Sequence, residues 1–169
     1  TTLAEGRISL GMVGLGRMGA NLSRRAMRDG HHVVAFDRAQ DAVADLVADG
    51  ATGASSLEEL VAALPAPRTV WVMVPAGHIT ESVVAELIAL LSPGDCIIDG
   101  GNSYYRDDIR RGQSSAAAGI DYLDVGTSGG VWGLERGYCL MIGGPEATVT
   151  RLAGLWDTIA PGFQTAERT

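Results

Sequence analysis

The chain has 169 residues, 46% of them hydrophobic, and a net charge of −7. One domain of this length buries roughly 70% of the surface its unfolded form exposes, so disorder and a need for disulfide or metal staples are both excluded. All 13 basic residues are arginines scattered through an acidic chain, which excludes the basic patch of a nucleic-acid or anionic-membrane binder but leaves local clamps for phosphate or carboxylate.

Residues 8–13 form a short apolar run ahead of glycines and predict a buried strand. Over 17–29, Met18, Leu22, Ala26 and Met27 share one face at helical spacing, and Gly30 closes that helix. A second strand covers 32–36. A helix over 41–49, with Val43, Leu46 and Val47 inward, ends at Gly50, and 51–54 is a short third strand. Ser55 or Ser56, ahead of Glu58 and Glu59, caps a helix over 57–64, which Pro65 and Pro67 terminate. A β-branched strand over 69–74, a turn from Pro75 to Gly77 and an amphipathic helix over 79–91 follow. Then come a strand over 96–99, a polar helix over 104–118, and strands over 122–125 and 138–142 joined by a glycine-rich loop. A last helix covers 145–159 with Pro145 at its start, and the polar residues 162–169 read as a loop. Short all-apolar strands alternating with amphipathic helices predict one α/β domain over 1–169, with a doubly wound, mainly parallel sheet covered on both faces.

Gly14-Leu15-Gly16-Arg17-Met18-Gly19 fits the pattern G-x-G-x-x-G between a strand and a helix. There the first glycine permits the tight turn, the second lets backbone approach a pyrophosphate, and the third lets helix and strand pack closely. The helix N-terminus adds unpaired N–H groups and partial positive charge. Asp37, at the end of the second strand, is placed to accept from an adenosine ribose and to repel a 2′-phosphate. These features predict a Rossmann-type dinucleotide domain that prefers NAD to NADP. Arg38 is the one neighbour able to bind such a phosphate, and it reads equally as a solvated surface arginine.

Three later segments fall at carboxyl ends of strands, where open parallel sheets bind ligands. They are Met73-Val74-Pro75-Ala76-Gly77, Ile98-Asp99-Gly100-Gly101-Asn102-Ser103, and Asp124-Val125-Gly126-Thr127-Ser128-Gly129-Gly130. Their glycines read as places where backbone approaches a ligand. Asn102 offers donors and an acceptor, and the N–H groups of Ser128, Gly129 and Gly130 suit a carboxylate. Each segment taken alone is equally compatible with ordinary turn chemistry.

Asp99-Gly-Gly-Asn-Ser followed by Tyr104-Tyr-Arg-Asp-Asp, and Ser128-Gly-Gly followed by Gly137-Tyr-Cys-Leu-Met-Ile-Gly-Gly, resemble 6-phosphogluconate dehydrogenase over nearly the whole chain. The resemblance implies that Asn102, Ser128, Gly129 and Gly130 contact 6-phosphogluconate, and that Gly14, Gly16, Gly19, Val74 and Ala76, together with Asn102, line the coenzyme. It also implies an oxidative decarboxylation to ribulose 5-phosphate in the pentose phosphate pathway. The family's general base and acid, a Lys and a Glu, lie in a following all-helical domain that also makes most dimer contacts. This chain has no Lys, so by itself it is expected not to turn over. Long-chain members commonly carry Lys at the position of Pro75, an acidic pair at Val131-Trp132 and Asn-Arg-Thr at Asp37-Arg38-Ala39. The departures resemble the shorter, NAD-favouring branch and leave the contacts around Val131 open. A β-hydroxyacid dehydrogenase of the 3-hydroxyisobutyrate type shares the glycine turn and the Ser-Gly-Gly loop but not the Asp-Gly-Gly-Asn-Ser run. A nucleotide-binding or redox-sensing module without catalysis is the alternative of a different class.

His31, His32 and His78 read as surface or capping residues, and Glu135 and Arg136 as a solvated loop. Cys96 and Cys139, each inside an apolar run and far apart, read as buried free thiols with no paired spacing for a disulfide or metal. No secretory signal and no apolar run of about 18 residues is visible, and together these predict a soluble cytoplasmic protein with no metal and no membrane contact.

Overall fold

The structure, a computed structural model, describes residues 3–162. Seven strands form one sheet in the order β3-β2-β1-β4-β5-β6-β7. They are β1 (Ser9–Val13), β2 (His32–Phe36), β3 (Thr52–Gly53), β4 (Thr69–Val72), β5 (Cys96–Asp99), β6 (Asp121–Ser128) and β7 (Cys139–Gly143). All neighbours pair in parallel except β6 and β7, which are antiparallel. The connecting helices are α1 (Arg17–Arg28), α2 (Gln40–Ala48), α3 (Leu57–Ala63), α4 (His78–Leu90) and α5 (Tyr105–Ala117), followed by α6 (Gly133–Arg136), α7 (Glu146–Arg151) and α8 (Ala153–Ile159). None of the described helices is long and apolar enough to cross a membrane.

Successive strand residues point to opposite faces, and both faces are covered. Met12, Val33, Trp71 and Ile98 join one apolar cluster with Leu22, Ala26 and Leu155. Val13, Val34, Val72 and Ile97 join the other with Leu60, Val84 and Leu87. Each fully buried aliphatic side chain contributes about 1.5–3 kcal/mol. This two-sided burial is why the strands read as unbroken apolar runs. Parallel pairing also sets the carboxyl ends of β1, β2, β4, β5 and β6 along one edge of the sheet.

The elements depart from expectation in four places. The third strand shrinks to Thr52–Gly53, and β4 stops at Val72. The strand expected over 122–125 runs from Asp121 to Ser128, because pairing with β7 continues through Gly126. Ser128 therefore ends a strand, and the remaining loop folds into a 3-10 turn (Gly130–Trp132) and α6. The last helix divides at Leu152, where Gly154 packs so closely on Gly6 that a Cβ would lie 2.1 Å from the Gly6 carbonyl oxygen. Ser56 is the cap of α3: its hydroxyl accepts from the Glu59 N–H at 3.1 Å, while Glu59 reaches back to Ser55. Of the expected terminal loop, 163–169 lies outside the described residues.

Candidate functional site

A cleft of 680 Å³ opens at the carboxyl ends of β1, β2 and β4. Its wall includes Gly14, Gly16, Asp37, Arg38 and Val74 from the predicted set. The glycines divide by cause. Gly14 has φ 95°, and a Cβ there would lie 2.3 Å from the Met73 carbonyl oxygen. A Cβ on Gly19 would lie 1.9 Å from the Gly14 carbonyl oxygen. Both are therefore demanded by the fold. Gly16 meets nothing within 4 Å and has ordinary φ, so the protein's own packing does not explain it. The space over Gly16 opens to the cleft at the start of α1, a helix with no side-chain cap and no acidic residue in its first turn. Its first N–H groups thus have no capping side chain, unlike those of α3, which has both a serine cap and two glutamates. An anion such as a pyrophosphate fits that cradle.

Asp37 stands beside it. Its Oδ2 accepts the Leu15 N–H at 2.6 Å and its Oδ1 the Ala39 N–H at 2.8 Å, so the carboxylate braces the glycine turn as well as facing the cleft. Leu15 is buried in the core and offers the site only backbone, and Met18 packs partly on that core. Arg17 and Ala76 are exposed next to the cleft without lining it. Sequence reasoning missed the opposite wall: His78, Ile79, Ser82, Val83 and Glu86 of α4, with Phe36 and Leu57. The three- and four-residue spacing of 79, 82, 83 and 86 marks one helix face, but Thr80, Val84 and Leu87 mark the core face equally well.

Asn102, Ser128, Gly129 and Gly130 lie outside this cleft, at the ends of β5 and β6 along the same sheet edge. Asn102 is the one non-glycine residue with positive φ (58°) among the described residues. Gly100 and Gly101 serve the protein, contrary to their reading as ligand-approach glycines. A Cβ on Gly100 would lie 2.2 Å from Trp71 Nε1, and one on Gly101 would lie 2.7 Å from the Val74 carbonyl oxygen. Gly129 and Gly133 likewise back onto the Tyr138 ring, whereas Gly130, at φ 51°, borders open space.

Beneath the Asn102 loop lies a buried polar group absent from the sequence reading. Arg111 donates to Asp99 at 3.3 Å and to Glu81 at 2.9 Å. The Tyr122 hydroxyl lies 3.0 Å from Asp99 Oδ2 and 2.9 Å from Asp108 Oδ1. One hydroxyl hydrogen serves one carboxylate at a time. Burial, above all, pushes the Asp108 carboxyl up to about 6. The Tyr122 hydrogen bond opposes this and the Asp99 charge adds to it. Burial and the two carboxylates also raise the Tyr122 phenol, and burial and Asp99 raise Asp124.

Three other expectations are corrected or sharpened. His31 is buried rather than on the surface. Its Nδ1 accepts the Ile8 N–H at 3.1 Å, so the neutral ring's hydrogen sits on Nε2, facing the Thr158 hydroxyl at 3.0 Å. Cys96 is buried and its thiol pushed up to about 12 by burial, but Cys139 is exposed because β7 is an edge strand with one open face. Glu135 pairs with Arg28 at 2.9 Å, and the Arg136 guanidinium lies 5.0 Å from the centre of the Trp132 ring.

Residues 9–165 match the family model described as the NAD binding domain of 6-phosphogluconate dehydrogenase. An NAD(+)-dependent, decarboxylating 6-phosphogluconate dehydrogenase of Haloferax volcanii is 41% identical, covering 92% of this chain and 51% of its own length. The chain thus spans about half the length of that relative. Among solved structures, 6-phosphogluconate dehydrogenase of Plasmodium falciparum superposes with a TM-score of 0.85 at 26% identity, covering 95% of this chain and 35% of that one. The 3-hydroxyisobutyrate dehydrogenase of Mycobacterium tuberculosis gives 0.85 at 28% identity, covering 92% and 53%.

Proposed function

The chain belongs to the family of NAD-binding domains of 6-phosphogluconate dehydrogenase, and from that premise we propose that it is the coenzyme-binding part of a decarboxylating dehydrogenase that oxidises 6-phosphogluconate with NAD. The observation that carries the coenzyme half of this reading is the pairing of an unexplained Gly16 at an uncapped helix N-terminus with Asp37 in the same cleft. The α1 N–H groups and Gly16 hold the pyrophosphate, and Asp37 accepts from the adenosine ribose. Asn102 and the Ser128-Gly129-Gly130 backbone take the sugar acid at the neighbouring strand ends. When bound, the nicotinamide supplies the hydride acceptor, while this chain orients the two ligands. No lysine is present. The proton-transferring groups belong to a further part of the enzyme, and the 169-residue chain alone binds coenzyme without turnover. Steady NADH production by the chain alone refutes that last point.

Arg38 lines the same cleft, and it is the feature that favours NADP as the second reading. Calorimetry with NAD and NADP on the wild type and on Asp37→Asn separates the two. Loss of the carboxylate weakens NAD about tenfold or more, the range for a hydrogen bond to a charged group, and shifts preference toward NADP. An unchanged ratio removes Asp37 from ribose recognition. Turnover of 6-phosphogluconate but not 3-hydroxyisobutyrate by the full-length protein separates this reading from the β-hydroxyacid alternative.

A further inference from the structure

The Asp99 carboxylate grips the Asn102 loop from beneath. Its Oδ1 accepts the Gly101 N–H at 2.9 Å and its Oδ2 accepts the Ser103 hydroxyl at 2.7 Å. These are the residues on either side of Asn102, which stays exposed at φ 58°. A left-handed conformation is less unfavourable for Asn than for most non-glycine residues, but holding an exposed Asn in it alone still asks its surroundings to favour that conformation. The Asp99 clamp is what favours it. Asp99 itself is 1% exposed and Arg111 2% exposed, so neither is a surface accident.

Arg111 extends the link. Besides Asp99 and Glu81, its Nη2 donates to the Gly77 carbonyl oxygen at 3.4 Å, at the end of the Val74-to-Gly77 segment beside the cleft. The Gly101 backbone lies so near the Val74 carbonyl that a Cβ there would fall 2.7 Å from its oxygen. Simple anchoring of α5 to the sheet needs only the contacts of Arg111, Asp108 and Tyr122. It does not require Asp99 to hold both neighbours of Asn102.

We propose that Asp99 is a positioning residue that presents Asn102 to the sugar acid, and that Arg111 is the strut coupling this geometry to the coenzyme segment 74–77. The inference rests on the reading of Asn102 as a substrate contact given above. Neither Asp99 nor Arg111 need touch a ligand.

The test uses the full-length protein. Ser103→Ala removes one arm of the clamp and no charge. Its KM for 6-phosphogluconate rises about three- to tenfold, the effect of one lost hydrogen bond, while the KM for NAD stays unchanged and Ser103→Thr restores the wild-type value. Arg111→Lys keeps the charge but cannot reach all three acceptors at once, and it raises both KM values. An unchanged sugar-acid KM in Ser103→Ala, or two KM values rising in parallel there, overturns the proposal. If the wild type binds NAD yet ignores 6-phosphogluconate, the functional reading fails. The positioning claim is then judged on the crystal structure of Asp99→Ala combined with Arg111→Met, which removes both members of the buried pair. Reversion of Asn102 to negative φ supports it, and retention of positive φ overturns it.

Discussion

The glycine turn 14–19 and the loop 99–103 stand at the ends of parallel strands along one sheet edge, but their glycines do different work. In the first, Gly14 and Gly19 let the chain pass its own backbone, and Gly16 alone is left to a ligand. In the second, both glycines make room for Trp71 and Val74, and the residue free to meet a ligand is Asn102. The first site rests on backbone dipoles and one carboxylate close at hand. The second rests on a buried ion pair drawn from β5 and α5. A glycine-rich loop is therefore not one device, and the neighbour its missing Cβ would strike tells which device it is.

The largest test of that contrast is an alanine at each glycine. Gly19→Ala and Gly14→Ala force backbone apart and cost about 3 kcal/mol or more, read as a lower midpoint in denaturant. Gly100→Ala displaces the buried Trp71 indole and costs about 2 kcal/mol. Gly16→Ala costs under about 1 kcal/mol of stability but weakens NAD at least about tenfold. A stable Gly19→Ala, or a Gly16→Ala that binds NAD normally, breaks the distinction.

The pH dependence of stability sharpens it. Asp108, under the second loop, has a folded value near 6 against an ordinary 3.8. Its contribution is thus fully present below 3.8 and is lost as pH rises through about 6. His31, on β1's side of the sheet, is lowered from 6.5, first by burial and then by Arg7, so its contribution is present above 6.5 and is lost as pH falls through its folded value. Asp108→Asn removes the first slope and His31→Gln the second, in melts run across that range. Variants that leave both slopes intact reject these assignments.

The smallest effect is chemical. A thiol reagent labels one cysteine per native chain, Cys139, and reaches Cys96 only on unfolding, because burial holds that thiol near 12. Two fast thiols in the native protein contradict the buried placement of Cys96.

The sequence by itself determined the doubly wound fold and the glycine-turn half of the proposed site. Both are written in local periodicity: apolar runs for strands covered on both faces, the glycine spacing, and a carboxylate at the end of the next strand. Tertiary structure alone decided what the second half is made of. Asp99, Glu81, Asp108, Arg111 and Tyr122 come from four different elements, and in sequence Asp108 and Arg111 read only as part of a polar helix. The same reason hid the α4 wall of the cleft, the burial of His31 and the exposure of Cys139. Which face of a helix or strand meets the protein, and which meets solvent or a ligand, depends on what packs beside it, and no local pattern records that neighbour.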